Sequence, residues 1–402
     1  MQSICMKYLR KQGGEQMKKA VIVSAVRTAI GKHAGQWATV PSEKLAACAI
    51  KEAVARAGVD PREIEDVVMG NIYGPHGNHA RVASLMAGLP IECGATTVDR
   101  QCGSGTQAIV NAALNIMTGN GDVYVACGVE HMTLTPYQME KASAAYSWAP
   151  PKFLATRLST DEIGNPPMPV TADTLAAQKN VTRLECDEWA LVSHQRAAAA
   201  IKAGVFKDQI VPVEVKVKGG TKFFDTDECV RYDASLESMQ KLAPLFPGGV
   251  TTAGNACPRS DGAGAVVMMS EEKAKALGLK PLASVRAFGV AGVDPKIMGY
   301  GPVPSTEKAL KRAGLKVEDI GVIEMNEAFV GQFIPCMKDL NFDPAKVNPN
   351  GGAIALGHPL GGTGVVLTTK LVYEMIAKDQ QFGLVTMCIG GGQGMATIFE
   401  RY

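Results

Sequence analysis

Apolar residues in this chain fall into short unbroken runs, and between the runs they recur at helical spacing. Ala20-Val-Ile-Val-Ser-Ala-Val26 has the length and continuity of a buried strand, and Ser42 to Gly58 then reads as a helix. Ile64 to Met69, the segment around Cys102, and Val123 to Cys127 continue the pattern. Short strands alternating with longer helices predict an α/β fold in which helices cover a largely buried sheet.

The second half of the chain does this again. Arg56-Ala57-Gly58-Val59, followed by Glu63-Ile64 and a strand ending Met69-Gly70-Asn71, reappears 256 residues later as Arg312-Ala313-Gly314-Leu315, then Asp319-Ile320 and a strand ending Met325-Asn326-Glu327. The same offset carries Cys102 onto His358, and each opens a predicted helix. The strand ending at Cys127-Gly128 corresponds to the one ending at Cys388, with a small drift that one loop absorbs. Ordered features at one offset predict two similar halves. Residues 17–131 with 251–283 form the first and 284–402 the second. Residues 132–250 are expected to be an inserted loop domain, rich in proline at Pro150-Pro151 and Pro166-Pro167, with a helical stretch from Thr171 to Gly204. Insertions of this kind often shape a binding site.

Composition narrows the picture. A chain of 402 residues, 46% hydrophobic and 20% charged, has material for two or three domains around a large core. Its net charge of +2 offers no basic face for nucleic acid. No run approaches the roughly 18 apolar residues of a membrane span. Residues 1–16 carry Lys7, Arg10 and Lys11 but no apolar core for a secretory signal, and are expected to be a disordered or artefactual leader before Met17. Ten cysteines without a CxxC pair argue against a zinc site or a disulfide framework, and free thiols point to the cytoplasm.

Candidate chemistry concentrates where glycine does. Gly351 to Gly364 crowds glycines and Pro359 around one histidine, His358, as suits a sharp turn or a backbone that a ligand approaches. Cys102, flanked by Gly103 and Gly105 at a helix mouth, faces unpaired amides and the positive end of the helix dipole, which favour thiolate. A small buried structural cysteine is the competing reading. If the halves pack about a pseudo-twofold axis, His358 reaches Cys102 as its base. Cys388 ends a strand and precedes Gly390-Gly391-Gly392, whose amides could hold an oxyanion, and a second reactive cysteine suggests a second proton transfer. Asn326 places a polar side chain at a strand end where the first half has Gly70; a turn or capping role is its alternative.

With these residues in place the chain resembles the thiolases over nearly all its length. The resemblance rests on Arg27-Thr28-Ala-Ile30-Gly31-Lys32, Asn78-His-Ala80-Arg81, Cys102-Gly-Ser-Gly, Gly128-Val-Glu130, Thr252-Ala-Gly-Asn255, Asn326-Glu-Ala-Phe329, Gly357-His358-Pro359 and Cys388-Ile-Gly-Gly-Gly. It implies a duplicated five-layered αβαβα fold and reversible acyl transfer between a 3-oxoacyl-CoA and coenzyme A, a reaction of fatty acid metabolism. Coenzyme A is then a substrate, no metal or redox cofactor is implied, and a homodimer or homotetramer is expected. In the roles the family suggests, His358 activates Cys102 as nucleophile and Cys388 moves the second proton. The amides of Cys102 and Gly390 form one oxyanion hole; His358 and a water held by Asn326 form the other.

The match departs from the family pattern beside the expected acyl-CoA tunnel. Pro167-Met168 keeps a family methionine but lacks the histidine before it, and Cys257-Pro258 stands where Ser-Gly is common. Met168, Cys257 and Phe329 are expected to bind substrate, and Arg231 matches a family arginine near the CoA nucleotide. Tyr137, Tyr146 and Trp148 could line an acyl pocket or fill a core. His131, where serine is usual, reads as a packing variation. Two rivals stay open at this point. A decarboxylating ketoacyl synthase shares the fold but has no need of Cys388; a non-catalytic acyl-CoA-binding subunit has no need of Cys102, Asn326, His358 and Cys388 together.

Overall fold

Strand β1 (Ala20–Thr28), helix α1 (Ser42–Ala57), strand β2 (Asp66–Gly70), helix α2 (His79–Met86), strand β3 (Gly94–Val98), helix α3 (Ser104–Met117) and strand β4 (Val123–His131) realise the alternation in chain order. The computed structural model describes residues 17–142, 144–146, 148 and 150–402, so the expected leader lies outside the described residues. Helix α1 buries Leu45, Ala49, Ile50 and Ala53 at helical spacing and stops at Gly58, whose φ of 65° a side chain would disfavour.

Next come α4 (Met168–Gln178), α5 (Arg183–Ala203) and β5 (Ser260–Ser270), which returns between β1 and β4. The single helical stretch expected from Thr171 to Gly204 is two helices. Asn180 turns to a φ of 55° after α4, and Thr182 with Glu185 forms a capping box that starts α5 afresh.

The second half contains β6 (Ala283–Gly292), α6 (Pro302–Ala313), β7 (Val322–Met325), α7 (Val330–Asp339), α8 (Leu360–Ala377), β8 (Phe382–Ile389) and β9 (Gln393–Arg401). The repeat is visible residue by residue. Gly314 ends α6 with a φ of 70°, as Gly58 ends α1, and short 3-10 turns follow at Pro61–Glu63 and Val317–Asp319. The strands run β2-β4-β5-β1 in one half and β7-β8-β9-β6 in the other, each with one parallel and two antiparallel pairings in the same order. A short contact of Val21 with Ser284 and Ile22 with Ala283 joins the two half-sheets edge to edge.

Strand alternation builds five layers. Tyr124 and Ala126 of β4, Val266 and Met268 of β5, and Val385 and Met387 of β8 share one core with α3 and α8, which pack side by side between the half-sheets. The opposite face of the first half-sheet packs on α1, and that of the second on α6 and α7. Helix α8 is buried nearly all round. Its Lys370 pairs with Glu324 of β7 at 2.7 Å and donates to Gly351 O, so even its one cation is satisfied inside the core. The two candidate groups, Cys102 and His358, precede these two central helices and are brought together by their packing.

Candidate active site

Between β3 and α3 the chain makes a tight turn that sets Cys102 at the helix mouth. Ser104 Oγ donates to Gln101 O and accepts from the Arg100 amide, and Gln101 adopts a φ of 46° while its amide donates to Asp99 Oδ1 at 2.6 Å. A non-glycine residue held at positive φ beside a candidate nucleophile is stored strain that the surrounding bonds maintain.

Cys102, Cys388, His358 and Gly390 open onto one apolar cavity of about 350 Å³, with Met168, Cys257, Phe329, Met132, Met298 and Leu360 in its wall. The amides of Gly390 and of Cys102 itself donate toward the Cys102 sulfur. Burial nevertheless pushes the thiol up to about 11. The expected thiolate at the helix mouth is thus corrected: desolvation outweighs the two amides, and the resting group is a thiol.

His358 answers that need. Burial holds it down to about 4, so the imidazole is neutral at pH 7 and carries a free lone pair. Its amide donates to Ser260 Oγ at 2.7 Å, and its Nδ1 lies 2.6 Å from Thr363 Oγ1. With Nδ1–H donating to that hydroxyl, Nε2 presents its lone pair and lies 3.4 Å from Asn326 Nδ2. Asn326 follows β7 and is fully buried; its Oδ1 has no partner among the described residues. Cys388 ends β8, donates from Sγ to Gln332 Oε1 at 3.5 Å, and is pushed well up by burial and by the neighbouring Cys102, Cys336 and Cys257 sulfurs.

Thr363 and Ser260 escaped sequence reasoning. Thr363 had a signal, since it sits five residues after His358 in the same glycine-rich run; Ser260 had none, because β5 brings it from a distant segment. Replacing Thr363 by valine removes one orienting hydrogen bond while keeping the shape. We expect kcat to fall about tenfold with little change in KM, the size of one hydrogen bond of about 1.4 kcal/mol, and Thr363→Ser to recover most of it. Steady-state kinetics on the two variants checks this.

Arg231 lies outside this cavity. It borders an adjacent pocket of about 270 Å³ with Lys32 and His194, separated from the first by the shared Pro258. Tyr137, Tyr146 and Trp148 line neither: they are 89%, 92% and 101% exposed, which corrects the pocket and core readings alike. His131 is buried away from the cavity with its Nε2 3.0 Å from Trp37 O, a packing role. Glu130 is buried, is pushed up to about 7 by desolvation, and accepts from the amides of Ile72, Tyr73 and Gly361, so it braces the start of α8.

Two nucleophile-type cysteines and a neutral histidine around paired amides are the equipment of acyl transfer with a second proton step. The family model of the thiolase N-terminal domain matches residues 20–272, and that of the thiolase C-terminal domain matches residues 279–401. The chain belongs to the thiolase family. As a thiolase it is an acyltransferase, catalysing thiolysis of 3-oxoacyl-CoA by CoA or the reverse condensation. It is 48% identical over 391 residues to the beta-ketothiolase BktB of Cupriavidus necator, covering 96% of this chain and 99% of that one. Among solved structures, the Bacillus anthracis acetyl-CoA acetyltransferase superposes with a TM-score of 0.92 at 40% identity, covering 97% of this chain and all of that one. Human mitochondrial 3-ketoacyl-CoA thiolase superposes at 0.91 and 38%, covering 96% and 100%. Neither rival reading finds support in these matches. No helix of this thiolase, among the described residues, is long and apolar enough to cross a membrane.

Proposed function

We propose that this thiolase acts on 3-oxoacyl-CoAs with apolar acyl chains, through an acyl thioester on Cys102. One observation carries the reading: the sulfurs of Cys102 and Cys388 and the neutral His358 share one apolar cavity, with the Gly390 and Cys102 amides aimed at the Cys102 sulfur.

His358 Nε2 takes the Cys102 proton as the sulfur attacks the 3-keto carbonyl, whose oxygen gathers charge between the amides of Cys102 and Gly390. The bond between the second and third carbons then breaks toward the thioester. The departing enolate oxygen is held by the protonated His358 and by a water on Asn326, whose unpartnered Oδ1 supports that assignment. Cys388 gives its proton to the enolate carbon and is left a thiolate. It recovers a proton from CoA, the CoA sulfur attacks the acyl thioester, and His358 returns its proton to Cys102, so both pairs end as they began. The chemistry needs no metal or redox cofactor.

Met132, Met168 and Met298 give the wall an adaptable, apolar surface, which suits alkyl chains of several lengths. Lys32 and Arg231 in the adjacent pocket offer cations for the phosphates of CoA. The absence of a CxxC pair and the free thiols support a cytoplasmic enzyme, and the family resemblance supports a homo-oligomer. Incubation with CoA and a series from acetoacetyl-CoA to longer 3-oxoacyl-CoAs is expected to consume several members and to leave an acyl mass on Cys102 when CoA is withheld. Failure of every chain length with folded protein overturns the reading.

A further inference from the structure

On the α1 side of the first half, outside the cavity lined by Cys102 and Cys388, Glu43 in the first turn of α1 meets His76 of the loop before α2 and His79, the first residue of α2. One donor atom of each lies within 4.8 Å of the other two. We propose that these three side chains bind a divalent transition-metal ion of the zinc type, as a structural clip on the Asn71–Asn78 loop.

The donor atoms stand close enough to converge on one ion after side-chain rotation. Two ligands at about 2.0–2.1 Å from a tetrahedral ion stand about 3.3 Å apart, and His76 Nε2 lies 3.5 Å from Glu43 Oε1. The two imidazoles stack with centroids 5.4 Å apart and planes inclined by 22°, so the exposed His76 ring must rotate for both in-plane lone pairs to meet one ion. His79 is 1% exposed, and its Nδ1 has no hydrogen-bond partner among the described residues, while its Nε2 is 3.0 Å from Ser42 Oγ. A neutral ring carries a proton on one nitrogen and a bare lone pair on the other, so one polar atom of His79 is buried without a partner among the described residues.

Two imidazoles and one carboxylate select zinc, cobalt or nickel over calcium and magnesium, which prefer oxygen ligands. The side chain of His76 is 38% exposed and that of Glu43 15%, so an ion has a path in and a fourth position for water. Ser42 Oγ, beside both His79 and Glu43, is placed to orient them from behind. The far end of the loop is already held, through Ile72 and Tyr73, by the Glu130 carboxylate that braces α8. A metal at Glu43, His76 and His79 would secure its near end to α1. No local spacing announces the site, because its carboxylate comes from another element more than 30 residues earlier in the chain.

The test is titration of the chelator-stripped enzyme with cobalt chloride and with zinc chloride, read by absorbance, calorimetry and melting temperature. Wild type is expected to take one equivalent of cobalt with visible d–d bands and without thiolate-to-cobalt charge transfer, and zinc is expected to raise its melting temperature. His76→Ala, at an exposed position, and Glu43→Gln, which keeps the size and shape of a largely buried side chain, are expected to keep thiolysis and the metal-free melting temperature while weakening the metal by at least about 10–100-fold. Charge-transfer bands of cysteine ligation, no saturable binding, or undiminished binding in both variants overturns the proposal.

Discussion

Cys102→Ala is expected to lose thiolysis by at least about ten-thousand-fold while keeping the fold. Burial drives up the Cys102, Cys257 and Cys388 thiols alike, but only the Cys102 sulfur has the Gly390 amide beside it, so neither of the other two can form the thioester in its place. Alanine removes a small side chain from a turn whose bonds come from Asp99, Arg100, Gln101 and Ser104, so the melting temperature should stay within a few degrees. The resting pair is neutral over a wide range, because the thiol loses its proton near 11 and the histidine gains one only near 4. Lowering the pH through about 4 should therefore remove the base from the wild type, whereas near 6.5, where an exposed histidine titrates, His358 alone should leave the acylation rate unchanged. Rapid-quench acylation as a function of pH reads this limb, and intact mass reads the thioester. An alanine variant that still accumulated acyl-enzyme, or that turned over within tenfold of wild type, would remove Cys102 from the mechanism.

What the chain disclosed in advance follows from what is local. Gly58 and Gly314 end equivalent helices because each sits at a φ near 65–70°, and that requirement is written into the residue itself. The offset that maps Cys102 onto His358 became spatial because α3 and α8 pack as the two halves of one central layer. The fold class, the central layer and the cavity around Cys102, His358 and Cys388 were therefore legible. Other properties belong to tertiary surroundings. The helix mouth argued for a thiolate, but the desolvation that reverses it comes from walls contributed by distant segments. Asn180 and Thr182 divide a stretch whose apolar spacing runs on, so periodicity missed a break that capping enforces. Tyr137 and Trp148 carry the composition of a pocket and lie on the surface, since hydrophobicity alone does not say which face the chain turns inward. Ser260 reaches the His358 amide through the register of β5, where it stands opposite Lys32.

Gly364→Ala is expected to damage stability and catalysis together. An alanine in a helix interior ordinarily gains up to about 1 kcal/mol over glycine, so a loss must come from contact with something outside the helix. That contact is the first turn of α3: a Cβ at 364 would overlap the Thr106 amide nitrogen and hydroxyl. The approach is reciprocal, for a Cβ at Gly105 would meet Gly361 O at 2.8 Å and Val365 N at 3.0 Å, and one at Gly128 would meet Gly361 O at 2.5 Å. Backbone has replaced side chains along this seam, and it cannot rotate out of the way. The helices must separate, at about 3 kcal/mol or more as overpacking of a closed core. Separation moves the residues just before each helix, Cys102 and His358, and a displacement on the order of 1 Å costs about a hundredfold in rate. We expect a melting temperature lowered by several degrees and kcat reduced about a hundredfold in whatever remains folded. Thr106→Ala should fail to rescue either, because it clears the hydroxyl and leaves the amide in place. A Gly364→Ala enzyme with wild-type melting and turnover would show that the two central helices have room between them, and would remove their contact as the reason the nucleophile and its base meet.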